Sequence, residues 1–114
     1  MSVQKKISVG VLGATGSVGQ KFIALLSDHP WFEVKEVAAS ERSAGKKYKD
    51  AVNWILATPL PKEIGNLTVK ECKPGLDCQI AFSGLDSGIA GEVEEKFAKA
   101  GYIVVSNSKK PQNG

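Results

Sequence analysis

Three glycines at every third position enclose two hydroxyl side chains in Gly13-Ala14-Thr15-Gly16-Ser17-Val18-Gly19. A short apolar run precedes this stretch and an amphipathic segment follows it, which predicts a strand, a tight turn and the start of a helix. The first amides of a helix lack intrahelical partners and carry the positive end of its dipole, so they suit a phosphate. We therefore predict that this turn holds the pyrophosphate of a dinucleotide. The predicted contacts are Gly13, Thr15, Gly16, Ser17 and Val18. The alternative is that the glycines serve only the turn and close packing of the helix on the strand.

A second group of polar residues follows the next predicted strand, in Ser40-Glu41-Arg42-Ser43. Arg42 offers a planar cation for a ribose 2′-phosphate, and the hydroxyls of Ser40 and Ser43 can donate hydrogen bonds to its oxygens. Glu41 supports the alternative, because an acidic residue at the tip of this strand binds the ribose 2′-OH in NAD sites. We favour NADP over NAD as the coenzyme.

A third polar stretch, Ser83-Gly84-Leu85, ends a predicted strand and precedes a helix. It could line the nicotinamide side of the same site. The alternative is that the following residues, Asp86 or Ser87, only cap the helix. Asp86 has no partner in the sequence that would make it a convincing general base.

Residues for covalent, acid–base or metal chemistry are scarce. The single histidine, His29, lies beside a proline at a predicted helix end, which favours a structural role. Cys72 follows a predicted edge strand and Cys78 precedes another strand, at its amino end, and we expect both to be free thiols rather than nucleophiles. We predict no catalytic residue and no metal ligand in this chain.

The elements that position these loops alternate along the chain. Strands are predicted over 6–12, 32–39, near 67–72, over 79–83 and over 102–105, and helices over 17–27 and from 86 or 87 to 100. We expect residues 40–50 to form a polar loop and 51–57 a short helix or an irregular segment. Alternation of this kind predicts a doubly wound α/β fold with a parallel, Rossmann-like sheet, whose ligands bind beyond the carboxyl ends of the strands. The predicted buried stripes are Val18, Phe22, Leu25 and Leu26 on the first helix, and Ile89, Val93, Phe97 and Ala100 on the second.

Length, composition and charge limit the classes of protein to which this chain can belong. The chain has 114 residues, of which 42% are hydrophobic and 24% charged, with a net charge of +3. Residues 1–108 are predicted to form one dinucleotide-binding domain, and 109–114 a polar tail. The small, dispersed charge does not indicate a nucleic-acid partner, and no apolar run predicts a signal peptide or a membrane span. We expect a cytoplasmic protein.

Four stretches resemble the aspartate-β-semialdehyde dehydrogenase family, especially its archaeal and fungal branch. They are Gly10–Gln20, Ala38–Tyr48, Phe82–Leu85 and Val105–Asn107, of which Ala38–Tyr48 is the most specific. The resemblance covers residues from about 5 to about 108 and matches the N-terminal coenzyme domain of the family. It implies NADP as cofactor and adds Asn107 to the residues that face it.

The resemblance also implies a reaction. In that family NADPH reduces β-aspartyl phosphate to aspartate semialdehyde, with release of phosphate, on the route to lysine, methionine and threonine. The nucleophilic cysteine and the histidine belong to a C-terminal catalytic domain that this chain lacks, so we expect the chain alone to be inactive. Ser108-Lys109-Lys110-Pro111 also departs from the aromatic residue and phosphate-binding arginine expected there. The alternatives are the coenzyme domain of a malonyl-CoA reductase and a non-catalytic NADP-binding module.

Overall fold

The strands of the described residues, 6–106, run in the same direction and form one sheet. In chain order, the computed structural model contains β1 (Ile7–Leu12), α1 (Ser17–Leu26), β2 (Phe32–Ala39), α2 (Tyr48–Ala51), α3 (Lys62–Gly65), β3 (Val69–Glu71), β4 (Ile80–Ser83), α4 (Ser87–Lys99) and β5 (Ile103–Ser106). The strand order is β3-β2-β1-β4-β5, and each neighbouring pair is parallel. This arrangement confirms the predicted doubly wound α/β fold and places its switch point between β1 and β4.

The central strand, β1, is buried on both of its faces. Val9 and Val11 point into the core beneath α1, whereas Leu12 points into a second core that includes Phe97 of α4. A strand covered by helices on both sides has no solvent-facing positions, which is why β1 is apolar at successive residues. Because β1 is fixed in this way, the turn that follows it is held at the carboxyl edge of the sheet.

The predicted buried stripe of α1 is partly wrong. Leu25 is 73% exposed, whereas Ile23 is 0% and Gln20 2% exposed. The rotation of the helix is fixed by Gly19, which packs directly against the backbone of the preceding turn. Ile23 and Leu26, four and seven residues after Gly19, then lie on the same buried face of the helix as Gly19.

The predicted second helix is confirmed as α4, with differences at its start. Asp86 is the N-cap residue, but its side chain makes no capping hydrogen bond. Ile89 is 52% exposed, and the buried residues are Ala90 and Phe97. Gly101 ends the helix with φ +100°, as expected of a C-terminal glycine.

The connection from β2 to β3 differs most from the sequence interpretation. The predicted polar loop ends three residues early, because Tyr48 begins α2 and is completely buried. A second short helix, α3, follows Pro61 and was not predicted. The predicted edge strand is confirmed as β3, which pairs with β2.

Three further predictions concern absences and boundaries. No helix among residues 6–106 is long and apolar enough to cross a membrane. Within the same range, no group of three histidine, cysteine or acidic side chains is arranged to hold a metal ion. The predicted boundary at residue 108 and the tail 109–114 lie outside the described residues.

Candidate functional site

Close backbone contacts build the glycine turn at the end of β1. Gly13 has φ +72°, a conformation that favours glycine, and a Cβ at this position would lie 3.1 Å from the backbone of Gly84. A Cβ on Gly19 would collide with the carbonyl oxygen of Gly13 and lie 2.8 Å from the Cα of Ala14. A Cβ on Gly84 would lie 2.7 Å from the backbone nitrogen of Gly19. The turn, the start of α1 and the end of β4 can touch because these three residues have no side chain.

Gly16 differs from Gly13, Gly19 and Gly84 because a Cβ at Gly16 would meet nothing closer than the Gly13 carbonyl oxygen, at 3.6 Å. It is the N-cap of α1, with no side-chain capping hydrogen bond and no acidic residue in the first turn of the helix. The positive end of the α1 dipole is therefore not neutralised by a carboxylate of that turn, which suits an anion. The Gly16 N–H is occupied, since it donates to the Gly13 carbonyl oxygen at 3.1 Å.

A cavity of about 420 Å³ opens at the carboxyl edge of the sheet. Cavities of this size are typical of small-molecule sites. It gathers six of the predicted residues, from three separate loops: Gly13, Thr15, Gly16, Ser40, Gly84 and Leu85. Cys72 and Asp86 also line it and were not among the predicted contacts. The fold therefore brings the three predicted polar loops to one cavity.

Arg42 lies beside this cavity rather than in it. A second, more open cavity of about 670 Å³ is lined by Ser40, Glu41 and Arg42. Ser40 and Glu41 line both cavities, so the two are adjacent. The Ser43 N–H donates to the Ser40 carbonyl oxygen at 2.9 Å, which closes a turn and leaves the Arg42 side chain exposed.

Five of the predicted site residues are not brought to the main cavity together with the rest. Arg42 lines the neighbouring cavity, Ser43 is half-buried in the turn, and Ser83 is 1% exposed. The Ser83 hydroxyl has no hydrogen-bond partner in the described part of the chain. Ser17 and Val18 belong to the first turn of α1, where Ser17 is exposed and Val18 half-buried. Asn107 lies outside the described residues.

Comparison with known proteins agrees with this geometry. A family profile described as "Semialdehyde dehydrogenase, NAD binding domain" matches residues 8–112. The chain belongs to the semialdehyde dehydrogenase NAD-binding domain family. The aspartate-semialdehyde dehydrogenases of Candida albicans and Saccharomyces cerevisiae are 55% and 56% identical to it, over 96% and 92% of its length. A crystal structure of the Candida albicans enzyme with NADP superposes with a TM-score of 0.88, at 53% identity over 92% of this chain. The chain spans about 30% of the length of these relatives.

Two buried polar side chains hold this domain's glycine turn from behind, and sequence reasoning missed both. The Tyr48 hydroxyl donates to the Ala14 carbonyl oxygen at 2.6 Å. Gln20 donates from Nε2 to the Thr15 carbonyl oxygen at 3.0 Å. Tyr48 falls within the predicted polar loop 40–50, and Gln20 lies outside the predicted apolar stripe of the first helix. The sequence offers one weak signal for Tyr48, a single aromatic residue at the end of a polar loop. It does not identify the partner, because Ala14 lies 34 residues away in the sequence.

The two cysteines and the histidine lie in three different surroundings. Cys72 lines the cavity, since it follows β3 at the carboxyl edge, but burial raises the pKa of its thiol and keeps it protonated. Burial, with the charges of Glu36 and Asp77, raises the pKa of Cys78 to about 11. His29 accepts a hydrogen bond from the Trp31 N–H at 3.1 Å and packs against neighbouring aromatic rings. A thiol that stays neutral near pH 7 is a poor nucleophile.

Proposed function

We propose that this chain is the coenzyme domain of an NADP-dependent aspartate-semialdehyde dehydrogenase. The observation that carries the proposal is the convergence of three loops on one cavity at the switch point of the sheet. One loop ends at the uncapped start of α1 and another carries Arg42. The Candida albicans structure, which is similar over 92% of the chain, contains NADP.

The part of the cavity at the α1 N-terminus fits a pyrophosphate in shape and in the sign of the helix dipole. Gly16 leaves open space in front of the α1 N-terminus, where a pyrophosphate can approach the amides of Ser17 and Val18. Thr15 lines the cavity and can donate a hydroxyl hydrogen bond. The residues Gly84 and Leu85 would lie along the nicotinamide half. When bound, the reduced coenzyme supplies a hydride, and the role of this chain is to hold and orient it.

Arg42 would bind the 2′-phosphate that distinguishes NADP from NAD. Arg42 is exposed beside Ser40, so its guanidinium and the Ser40 hydroxyl could both donate hydrogen bonds to a phosphate placed there. Glu41 lines the same cavity, and its carboxylate would repel a phosphate but accept a hydrogen bond from a ribose 2′-OH. The ratio of NADP to NAD affinity therefore measures which of the two side chains determines the choice of coenzyme.

The complete reaction requires residues beyond this chain. The relatives are about three times as long as these 114 residues, and we propose that a catalytic domain outside residues 1–114 supplies the nucleophile and the general base. The names of these relatives favour aspartate semialdehyde over the malonyl-CoA alternative. The non-catalytic module and the cytoplasmic location stay predictions.

Calorimetric titration of the chain with NADP, NAD and 2′,5′-ADP tests the binding proposal. We expect NADP to bind more tightly than NAD, and Arg42→Ala to weaken NADP binding by ~1–3 kcal/mol, the loss of a charge-assisted hydrogen bond, with little effect on NAD. Lys35→Ala is the matched control, because it removes one positive charge at the opposite edge of the sheet, where Lys35 lines a different cavity. The proposal fails if no ligand binds, or if NAD binds more tightly than NADP.

A separate assay tests the activity. The chain alone should not reduce NADP in the presence of aspartate semialdehyde and phosphate. Turnover by the purified chain would show that the nucleophile is present and would contradict the proposed division of labour.

A further inference from the structure

The Tyr48 hydroxyl joins two loops that the proposed function assigns to different parts of the coenzyme. It donates to the Ala14 carbonyl oxygen at 2.6 Å, inside the glycine turn. Tyr48 itself directly follows the loop 40–47, which contains Arg42. One hydrogen bond therefore connects the pyrophosphate turn with the predicted 2′-phosphate loop.

Each end of this connection also makes backbone hydrogen bonds of its own. On one side, the Ala14 N–H donates to the Ala38 carbonyl oxygen at 2.9 Å, at the end of β2. On the other side, the Tyr48 N–H donates to the Leu67 carbonyl oxygen at 2.8 Å. The Val69 N–H donates to the Lys46 carbonyl oxygen at 2.7 Å. The hydroxyl–carbonyl bond joins these two anchored segments directly, so it constrains the distance between the two loops.

The environment of Tyr48 keeps its hydroxyl a donor. The side chain is completely buried, and this burial raises its pKa, so the phenol stays protonated well into the alkaline range. A peptide group is planar and trans, so holding the Ala14 carbonyl toward the core turns the following N–H, that of Thr15, away from the core. Tyr48 thus fixes a peptide plane of the turn without lining the cavity itself.

Gln20 holds the same turn toward a different part of the chain. Its side-chain amide donates to the carbonyl oxygens of Thr15 at 3.0 Å and Asn53 at 3.1 Å. Its oxygen accepts from the Ile55 N–H at 2.9 Å. The segment 53–55 contains no predicted coenzyme contact. Gln20 therefore braces the turn but does not connect it to Arg42.

We propose that Tyr48 is a positioning residue for coenzyme selectivity, because its hydroxyl sets the register between the glycine turn and the Arg42 loop. The inference rests on the proposed function, since selectivity has meaning only if the chain binds a dinucleotide. A ligand that contacts both loops, NADP, depends on their spacing. A ligand without the 2′-phosphate, NAD, depends on it less.

The test compares NADP and NAD affinities of the full chain with those of Tyr48→Phe, which removes the hydroxyl and keeps the ring. We expect the NADP/NAD affinity ratio to fall by about 2- to 10-fold, the range that corresponds to one net hydrogen bond. In the Arg42→Ala background the same change should leave the ratio unaltered, because the group whose position matters is already absent. A purely structural role would change both affinities together and leave the ratio constant.

Tyr102→Phe is the matched control. The Tyr102 hydroxyl donates to the Leu76 carbonyl oxygen at 2.8 Å and accepts from the Gly75 N–H at 2.9 Å. Tyr102 precedes β5, at the amino edge of the sheet. This variant should lose stability and keep the wild-type ratio. If Tyr48→Phe is partly unfolded, all variants are compared in sucrose, which favours the compact state.

The possible outcomes separate the two proposals. If the wild-type chain binds neither dinucleotide, the proposed function fails and the inference fails with it. If the wild-type chain prefers NADP and Tyr48→Phe keeps the same preference, the positioning role is wrong and the proposed function stands. A fall in the ratio for Tyr102→Phe as large as that for Tyr48→Phe would also contradict the inference.

Discussion

At the scale of single residues, the glycines of the turn have different physical tasks despite their regular spacing. Gly19 permits close packing, because a Cβ there would collide with the Gly13 carbonyl oxygen. Gly16 permits access, because a Cβ there would meet no atom closer than 3.6 Å. Of the two roles that the sequence left open, close packing is that of Gly19, whereas ligand binding at Gly16 stays a prediction.

Substituting each of these glycines by alanine should separate the two tasks. We expect Gly19→Ala to lower the free energy of unfolding by roughly 1–3 kcal/mol, the usual cost of overpacking. Gly16→Ala should lower the free energy of unfolding by at most about 1 kcal/mol, because its extended backbone conformation is open to alanine but alanine is a poor N-cap residue, and it should weaken NADP binding roughly tenfold. Urea unfolding and calorimetric titration of both variants measure these effects. Equal stability losses for the two would contradict the distinction.

At the scale of elements, α4 contains a glycine that packing does not explain. Gly91 lies inside the helix, and a Cβ there would meet no atom within 4 Å. Alanine costs less backbone entropy than glycine in a helix, so Gly91→Ala should raise the free energy of unfolding by ~0.5–1 kcal/mol.

Gly101→Ala is the opposing control on the same helix. Gly101 also has open space around it, but its φ of +100° is a conformation that L side chains rarely adopt. Alanine there should lower the free energy of unfolding by ~1–2 kcal/mol. Urea unfolding of the two variants, with NADP affinity unchanged in Gly91→Ala, tests both expectations. Destabilisation by Gly91→Ala would show that α4 needs a glycine at this position.

The elements also mark how far the sequence can be interpreted. Apolar runs bounded by glycine or polar residues are local signals, and they predicted each of the five strands, with the parallel fold that follows from them. The buried face of α1 was partly wrong because Gly19, not the apolar side chains, sets the rotation of that helix. Burial of Tyr48 was missed because its partner, Ala14, is 34 residues away in sequence. Local pattern predicts which elements form, while long-range contacts decide how they are rotated and braced.

At the scale of the whole molecule, the edge strand β5 is covered by α4 on one face and exposed on the other. Val104 packs into the core beneath α4, whereas Ile103 is 60% and Val105 39% exposed on the other face. The strand is also an edge of the sheet. Because β5 is the least buried strand of the described sheet, it contributes little to the core. The stability of the fold therefore depends mainly on the central strands and on the side chains packed against them.

Alkaline pH should weaken the fold through the half-buried Cys78 thiol and the buried Tyr48 hydroxyl, whose pKa values burial raises. Below pH 9 the Cys78 thiol is protonated in both the folded and the unfolded chain, so it gives no pH dependence. Above its ordinary pKa of 9.0 the unfolded chain releases that proton, whereas the folded chain holds it up to about 11. The unfolded state then binds fewer protons, so the free energy of unfolding falls as pH rises through this window. Tyr48, whose pKa burial also raises, extends the loss above pH 10.

Urea unfolding of wild type, Cys78→Ala and Tyr48→Phe between neutral pH and pH 11 tests this origin of the alkaline loss. Cys78→Ala should show a shallower fall than wild type from pH 9 upward, and Tyr48→Phe a shallower fall only above pH 10. The comparison with wild type cancels the pH effects of all residues that the three chains share. Parallel curves for all three proteins would mean that neither buried group keeps its proton preferentially in the folded state.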